Sequence, residues 1–121
     1  MPLFSVIIPL YNKETYIQQT VESVLQQTFT DFELLIVNDA STDKSVSIVS
    51  QISDDRIQLI ENPENLGLST TRNHGIFKAS GEIIALLDAD DVWLPNFLET
   101  IHTLYTTFPE ASLYGTDFVE V

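Results

Sequence analysis

Four short apolar runs, separated by stretches with helical periodicity, constrain the fold of this 121-residue chain more than any other feature. The runs lie at residues 4–10, 31–38, 56–61 and 82–87. All but the third, which alternates like a more exposed strand, resemble the continuous apolar strands of buried parallel sheets. The fourth is expected to be a central strand. The alternation of strand and helix predicts an α/β fold with a mainly parallel sheet, right-handed crossovers and helices on both faces.

Four helices are predicted, one after each apolar run. Their bounds follow from helix caps, from the break at Ser80-Gly81 and from prolines, which are tolerated in a first turn. The helices cover residues 14–27, a segment capped by Ser41 or Thr42, residues 68–79, and a segment from Pro95 through Phe108, after which a fifth strand is expected at residues 111–114. The residues expected to face inward are Ile17, Val21, Val24 and Leu25 in the first helix, Val46, Val49 and Ile52 in the second, and Ile76 and Phe77 in the third.

Charge and composition exclude several classes of function. The net charge of −13 comes from 18 acidic and 5 basic residues, and such a chain repels the polyphosphate backbone of nucleic acids. Cysteine is absent, so the chain has neither disulfides nor thiolate chemistry. No apolar run approaches the ~20 residues of a membrane-spanning helix. The sequence predicts a cytoplasmic domain without a membrane segment, and leaves peripheral membrane attachment open.

The loop after the fourth run holds three carboxylates in four positions, at Asp88, Asp90 and Asp91. Ligands of open α/β sheets bind beyond the carboxyl ends of the strands, where this loop lies. The carboxylates repel one another and destabilise the fold unless a positive group compensates them. In extended backbone Asp88 and Asp90 point to the same side. They would then offer hard oxygen ligands to Mg²⁺ or Mn²⁺, whereas the alternative is an Asp91 helix cap beside two solvated carboxylates.

Other loops at the same edge carry side chains that do little for folding. Asp39 is a candidate acceptor for a nucleobase N–H or a ribose hydroxyl, or else forms an Asx turn. Tyr11 can stack on a base, or it is an ordinary aromatic residue at the rim. Arg72, in a helix that begins after a glycine, can contact a diphosphate or form a weak surface ion pair. His74 and His102 lack metal-ligand spacing and are interpreted as structural or surface residues.

Five segments together resemble the GT-A domains of family 2 glycosyltransferases. In chain order they are SVIIPLYN, SVLQQT, FELLIVNDASTD, ENLGLSTTRNHGI and GEIIALLDADDVWLP, and the resemblance covers residues 4–95. It implies a Rossmann-like sheet, with residues 1–121 as the nucleotide-sugar-binding part of the domain. It also implies inverting transfer of a sugar from a nucleotide diphosphate, by default uridine diphosphate, to a saccharide or other hydroxyl acceptor, with Mn²⁺ or Mg²⁺ as cofactor.

The resemblance further implies a role for each candidate residue. Nucleotide-sugar binding is implied for Pro9, Tyr11, Asp39, Arg72 and Asp88, and metal binding for Asp90 of the D-x-D motif, with Asp88 and Asp91 as further metal candidates. One-step inversion also needs a general base. That base is expected beyond Val121, because Asp117 and Glu120 fall too early, so the chain is interpreted as truncated before the acceptor half. We therefore expect it to bind a nucleotide but to transfer sugar poorly.

Three alternatives remain. A sugar-phosphate nucleotidyltransferase uses a similar sheet, but it has a glycine-rich basic loop where this chain has PLYNKET. A non-enzymatic signalling domain of the receiver type needs a phospho-acceptor aspartate after the third strand, where this chain has Asn62-Pro63. It also needs a lysine after the fifth strand, where this chain has none. A stand-alone nucleotide-binding module differs from the main interpretation only in its biology.

Overall fold

The first strand, β1 (Phe4–Leu10), is buried at every position, as its unbroken apolar sequence predicts. In the computed structural model, which describes residues 1–109, it lies inside a sheet with β2 (Phe32–Asn38), β3 (Ile57–Glu61) and β4 (Ile83–Leu86). The order of these four strands is β3-β2-β1-β4, and every pairing is parallel. The α/β fold with a parallel sheet is confirmed, and β3 is largely exposed or partly buried, as its alternating sequence predicts.

Helices cover both faces of this sheet. They are α1 (Ile17–Leu25), α2 (Ser45–Ser50), α3 (Leu68–Lys78) and α4 (Phe97–Thr107). Because strand side chains alternate, Val6 and Ile8 belong to a large apolar cluster with residues of α1, α2 and α4. Ile7 lies on the opposite face, against α3. The predicted inner positions of α1 are confirmed, with Val21 and its apolar neighbours on the helix face buried or partly buried in the large cluster.

The predicted cap of α2 is wrong. Ser41 and Thr42 do not cap this helix, because both bond instead to the loop after β1: the Ser41 Oγ accepts from the Asn12 N–H at 3.1 Å, and Thr42 Oγ1 accepts from Asn12 Nδ2 at 3.2 Å. The helix begins later, at Ser45, whose backbone N–H donates to Asp43 Oδ1 at 2.9 Å. It ends at Ser50, so Ile52 packs against the core from the turn that follows.

The predicted inner face of α3 is also wrong. Phe77 is 85% exposed and Ile76 is 41% exposed, whereas Thr71 and Gly75 are buried. The reason is a close approach between helix and sheet at Gly75, where an added Cβ would lie 2.7 Å from Ile7 Cγ2. The turn without a side chain therefore faces the sheet, and the large apolar residues of α3 point away from it.

Three further predictions differ from the structure or lie outside it. Residues 82–87 were expected to form a central strand, but within residues 1–109 β4 pairs only with β1 and is an edge strand. The helices predicted to begin at Glu14 and Pro95 begin at Ile17 and Phe97. The expected fifth strand, Asp117 and Glu120 lie outside the described residues. Across residues 1–109, no helix is long and apolar enough to cross a membrane.

Candidate functional site

The carboxyl ends of β1, β2 and β4 surround an open cavity of about 460 Å³, a volume within the usual range for small-molecule sites. Five of the residues predicted from the sequence line it together: Pro9, Tyr11, Asp39, Asp88 and Asp90. The parallel topology explains this arrangement, because it brings the ends of these strands to one edge of the sheet. The structure therefore assembles most of the predicted site in one place.

Asp39 is buried at the floor of this cavity, with 4% of its surface exposed. Its Oδ1 accepts from the Leu66 N–H at 2.7 Å and from Asn62 Nδ2 at 2.9 Å, while its Oδ2 accepts from the Gly67 N–H at 3.0 Å. Burial acts to raise the pKa of Asp39, but these hydrogen bonds outweigh burial and hold the pKa below its ordinary value. The carboxylate is thus ionised, and Oδ2 keeps capacity to accept a further hydrogen bond.

Asn62 links Asp39 to α3. Its Nδ2 also donates to Thr71 Oγ1 at 3.0 Å, and His74 Nδ1 donates to Asn62 Oδ1 at 2.7 Å. Because an ionised carboxylate only accepts, the amide nitrogen of Asn62 must face Asp39 and its oxygen must face His74, which places a proton on Nδ1. His74 therefore helps to hold Asn62 in place, which agrees with its interpretation as a structural residue. Thr71 also lines the cavity, and the sequence carried no signal for it, because the inward face of α3 depends on the close approach at Gly75.

The acidic loop places a cation beside each of two carboxylates. Lys13 Nζ lies 3.5 Å from Asp90 Oδ2, and Arg72 Nη2 donates to Asp88 Oδ1 at 3.0 Å. The side chains of both pairs are substantially exposed, so the pairs contribute little to the free energy of unfolding. They show instead that positive groups compensate two of the three carboxylates of this loop, as its sequence leads one to expect.

Arg72 and Asp91 lie beside the main cavity rather than in its lining. Together with Asp88 and four apolar residues they line a neighbouring cavity of about 230 Å³. Burial, and then the negative charges of Asp90 and Asp88, raise the pKa of Asp91. Among the buried side-chain atoms that the structure describes, Arg72 Nε lacks a hydrogen-bond partner. Arg72 thus reaches the main cavity through Asp88, whereas Asp91 does not contact it.

Lys13 is the charged residue of the cavity that sequence reasoning missed. It lines the main cavity three positions after the end of β1. Its signal was its rarity, since the chain has 5 basic residues in all.

The backbone beside the cavity is held in an uncommon conformation at two residues, with positive φ values of 49° at Asn12 and 60° at Ala40. Such conformations cluster at functional sites.

The donor chemistry of the acidic loop fits a divalent cation that a ligand helps to bind. Across residues 1–109, no three His, Cys, Asp or Glu side chains form a group that could hold a metal ion by themselves. Mg²⁺ and Mn²⁺ do not require such a group, since one or two carboxylates and the phosphates of a substrate suffice. Asp88 and Asp90 face the same cavity and supply those carboxylates. The site therefore fits a cation bound together with a diphosphate.

Comparison with known proteins identifies the family. The profile described as glycosyl transferase family 2 matches residues 5–116. The UDP-Glc:alpha-D-GlcNAc-diphosphoundecaprenol beta-1,3-glucosyltransferase WfgD of Escherichia coli is 43% identical over 97 residues, which are 80% of this chain and 38% of WfgD. This chain spans 32% to 40% of the length of four curated relatives that it matches.

Solved structures share the fold. S. aureus TarS 1-349 in complex with UDP has a TM-score of 0.81 and 30% identity, over 86% of this chain and 32% of that one. Mannosyltransferase PcManGT from Pyrobaculum calidifontis, in complex with GDP-Man and Mn²⁺, has a TM-score of 0.71 and 31% identity, over 76% of this chain and 28% of PcManGT. The strand order, the cavity at the strand ends and these matches agree, and the chain belongs to glycosyl transferase family 2 with the GT-A fold.

Proposed function

We propose that residues 1–121 form the nucleotide-sugar-binding part of an inverting glycosyltransferase, which transfers a sugar from a nucleotide diphosphate to an acceptor hydroxyl. The observation that carries the proposal is the single cavity lined by an aromatic residue, a buried acceptor carboxylate and two further carboxylates: Tyr11, Asp39, Asp88 and Asp90. Family membership supports a glycosyltransferase over a nucleotidyltransferase or a receiver-type signalling domain.

The nucleobase is proposed to bind at the end of the cavity formed by Pro9, Tyr11 and Asp39. Tyr11 is 45% exposed, so its ring is accessible for stacking on a base. Asp39 Oδ2 accepts one protein hydrogen bond and can accept another from a base N–H. Uracil carries such a donor, and the UDP and UDP-GlcNAc complexes of TarS support uridine diphosphate as the default nucleotide.

The diphosphate is proposed to lie at the acidic end, where Asp90 would hold Mn²⁺ or Mg²⁺ and Asp88 would contact the ribose or the phosphates. The Mn²⁺ in the PcManGT complex supports this cofactor. When bound, the cation supplies Lewis-acid stabilisation of the charge that develops on the leaving diphosphate. Arg72 contributes a fixed positive charge beside Asp88, and Asp91 is a further candidate ligand. Lys13, at the other side of the loop, adds a second positive charge.

The general base that inversion needs is proposed to lie outside the described residues, beyond Val121. The carboxylates that line the main cavity among residues 1–109 are Asp39, Asp88 and Asp90. Asp39 accepts hydrogen bonds from a loop, and the other two face cations. Each of these carboxylates is already assigned to a loop contact, the metal or the nucleotide in this proposal, so we expect a saccharide or other hydroxyl acceptor to need further residues. We therefore expect the 121-residue chain to bind nucleotide but to transfer sugar poorly.

The proposal is tested by calorimetric titration of uridine diphosphate into the 121-residue chain, with and without Mn²⁺. The same titrations are made on Asp90→Asn and on Asp55→Asn, a matched control at an exposed position outside the cavity. Binding that strengthens with Mn²⁺ in the wild type and the control, but not in Asp90→Asn, supports the proposal. A folded chain that binds none of uridine, guanosine and thymidine diphosphate contradicts the proposal. Rapid sugar transfer by the 121-residue chain contradicts the expectation that the general base lies beyond Val121.

A further inference from the structure

Three polar side chains are buried in the core on the side of α1 that faces the acidic loop. They are Thr20, Ser23 and Gln27, with 0%, 9% and 3% of their surfaces exposed. Their spacing of three and four residues places them along one side of the helix and its C-terminal turn. Buried polar groups must be hydrogen-bonded, since an unsatisfied one is costly. The hydrogen-bond partners of these three side chains therefore show which part of the fold they hold in place.

All three bond to the backbone of the segment that follows β4. Thr20 Oγ1 donates to the Ala89 carbonyl at 2.9 Å. Ser23 Oγ accepts from the Trp93 N–H at 3.2 Å. Gln27 Nε2 donates to the Leu94 carbonyl at 2.6 Å, and its Oε1 accepts from the Leu98 N–H at 2.9 Å. The segment from the acidic loop to the start of α4 is thus hydrogen-bonded along its length to α1 and the turn that follows α1.

The first of these hydrogen bonds is made to Ala89, the residue between Asp88 and Asp90 in the acidic loop. The Ala89 carbonyl belongs to the peptide group that joins Ala89 to Asp90, and Ala89 is 3% exposed. The orientation of this peptide group determines the direction in which the side chain of Asp90 leaves the backbone. The Ser23 and Gln27 bonds act at Trp93 and beyond, after the last carboxylate of the loop.

We propose that Thr20 is a positioning residue for metal binding: its hydroxyl fixes the Ala89–Asp90 peptide so that the Asp90 carboxylate faces the cavity. The proposal rests on the proposed function, because it assigns Asp90 to a divalent cation. Groups that orient a metal ligand typically change metal affinity by about 10- to 100-fold when they are removed. Thr20 is not expected to contact the nucleotide or the metal. Its removal should therefore weaken metal binding without weakening the binding of nucleotide alone.

The test compares variants that differ in the hydroxyl but little in volume. Thr20→Val removes the donor, Thr20→Ser keeps it, and Ser23→Ala removes a buried hydroxyl from the same side of α1 as a matched structural control. For each, the Kd of Mn²⁺ is measured calorimetrically with saturating uridine diphosphate, the Kd of uridine diphosphate is measured without metal, and the Tm is recorded. We expect about tenfold weaker Mn²⁺ binding in Thr20→Val, near wild-type binding in Thr20→Ser, and a lowered Tm with unchanged Mn²⁺ binding in Ser23→Ala.

Two results overturn the proposal: wild-type Mn²⁺ affinity in a folded Thr20→Val, or equal weakening in Ser23→Ala, which would indicate general loosening. If Thr20→Val does not fold, Thr20→Ser and Thr20→Cys replace it, because they are similar in size but the thiol is a weak donor. Weaker Mn²⁺ binding in the cysteine variant then supports the role, and equal binding refutes it. A wild-type chain that binds uridine diphosphate with no effect of Mn²⁺ contradicts the proposed function itself, and the role of Thr20 with it.

Discussion

The ammonium group of Lys13 lies 3.5 Å from the carboxylate of Asp90, at the edge of the main cavity. A divalent cation bound at Asp90 would meet this positive charge, so Lys13 competes with the metal when no nucleotide is present. The two side chains are 40% and 44% exposed, and solvent therefore screens their interaction strongly. The effect of the lysine on metal binding is consequently expected to be small but measurable.

We predict that Lys13→Met strengthens the binding of Mn²⁺ alone by about two- to fivefold, the range that an exposed ion pair supports. In the absence of metal, the same variant should bind uridine diphosphate more weakly, because a positive charge near the phosphates is lost. Calorimetric titrations of each ligand separately check both effects. Lys78→Met, at an exposed position on α3, is the control and should change neither. Weaker Mn²⁺ binding in Lys13→Met would show that the lysine does not compete with the metal.

Arg72 is predicted to contribute to nucleotide affinity rather than to stability. Its hydrogen bond to Asp88 is exposed, so Arg72→Gln should leave the Tm almost unchanged. Loss of a charge-assisted contact to a phosphate should weaken uridine diphosphate binding by about tenfold. Arg56→Gln provides the opposite case, because Arg56 bonds to Asp54 and lies over the Phe32 ring, away from the cavity. That control should lower the Tm and leave nucleotide binding intact.

Asp39→Asn is predicted to lower the free energy of unfolding by about 1–3 kcal/mol at pH 7, since every protein group facing this carboxylate is a donor. The new amide NH₂ would meet the N–H groups of Leu66 or Gly67. The folded-state pKa of Asp39 lies below the ordinary value of 3.8, so its stabilising contribution is complete above that pH. The contribution is lost as the pH falls through the lower folded-state pKa.

The pH dependence therefore gives a direct check on Asp39. In urea titrations from pH 7 downwards, the difference in unfolding free energy between wild type and Asp39→Asn should stay constant to about pH 4 and shrink below it. Asp43 and Asp54 also have lowered pKa values, but they are common to both proteins and cancel in the difference. A difference that grew as the pH fell would mean that Asp39 is not held ionised by its neighbours.

Gly75→Ala is predicted to destabilise the chain, although alanine is the better helix former. The added methyl group would lie 2.7 Å from Ile7 Cγ2 and 3.1 Å from Val37 Cγ2, and both of these strand residues are fully buried. Overpacking of this kind costs about 1–3 kcal/mol. At the exposed position 73 of the same helix, Asn73→Ala should instead stabilise by about 0.5 kcal/mol. Chemical denaturation of the two variants measures both changes.

The sequence predicted the sheet and the location of the cavity because both follow from local patterns. The unbroken apolar run of β1 indicates a buried strand, and parallel topology then places Asp39 and Asp88 at one edge. The inner face of α3 was beyond such reasoning. Apolar periodicity favoured Phe77 as an inward residue, but the contact between helix and sheet depends on Gly75, which periodicity does not count.

Contacts between residues that are distant along the chain could not be predicted from the sequence either. Lys13 and Asp90 are far apart along the chain, and only the fold brings them together. Thr20 appeared as an ordinary helical residue, because its partner is a backbone carbonyl rather than a side chain. The roles assigned to the residues that line the cavity remain predictions, although the structure brings most of them to one place.

The hydrogen bonds of Asp39 limit how this protein could be redesigned or could diverge. The carboxylate that is proposed to read the base also holds the loop of Leu66 and Gly67. A substitution chosen to accept a different nucleotide would therefore disrupt that loop before any new preference could be seen. Changes in donor choice are more accessible at exposed Tyr11, or at Asn65, which lines the cavity.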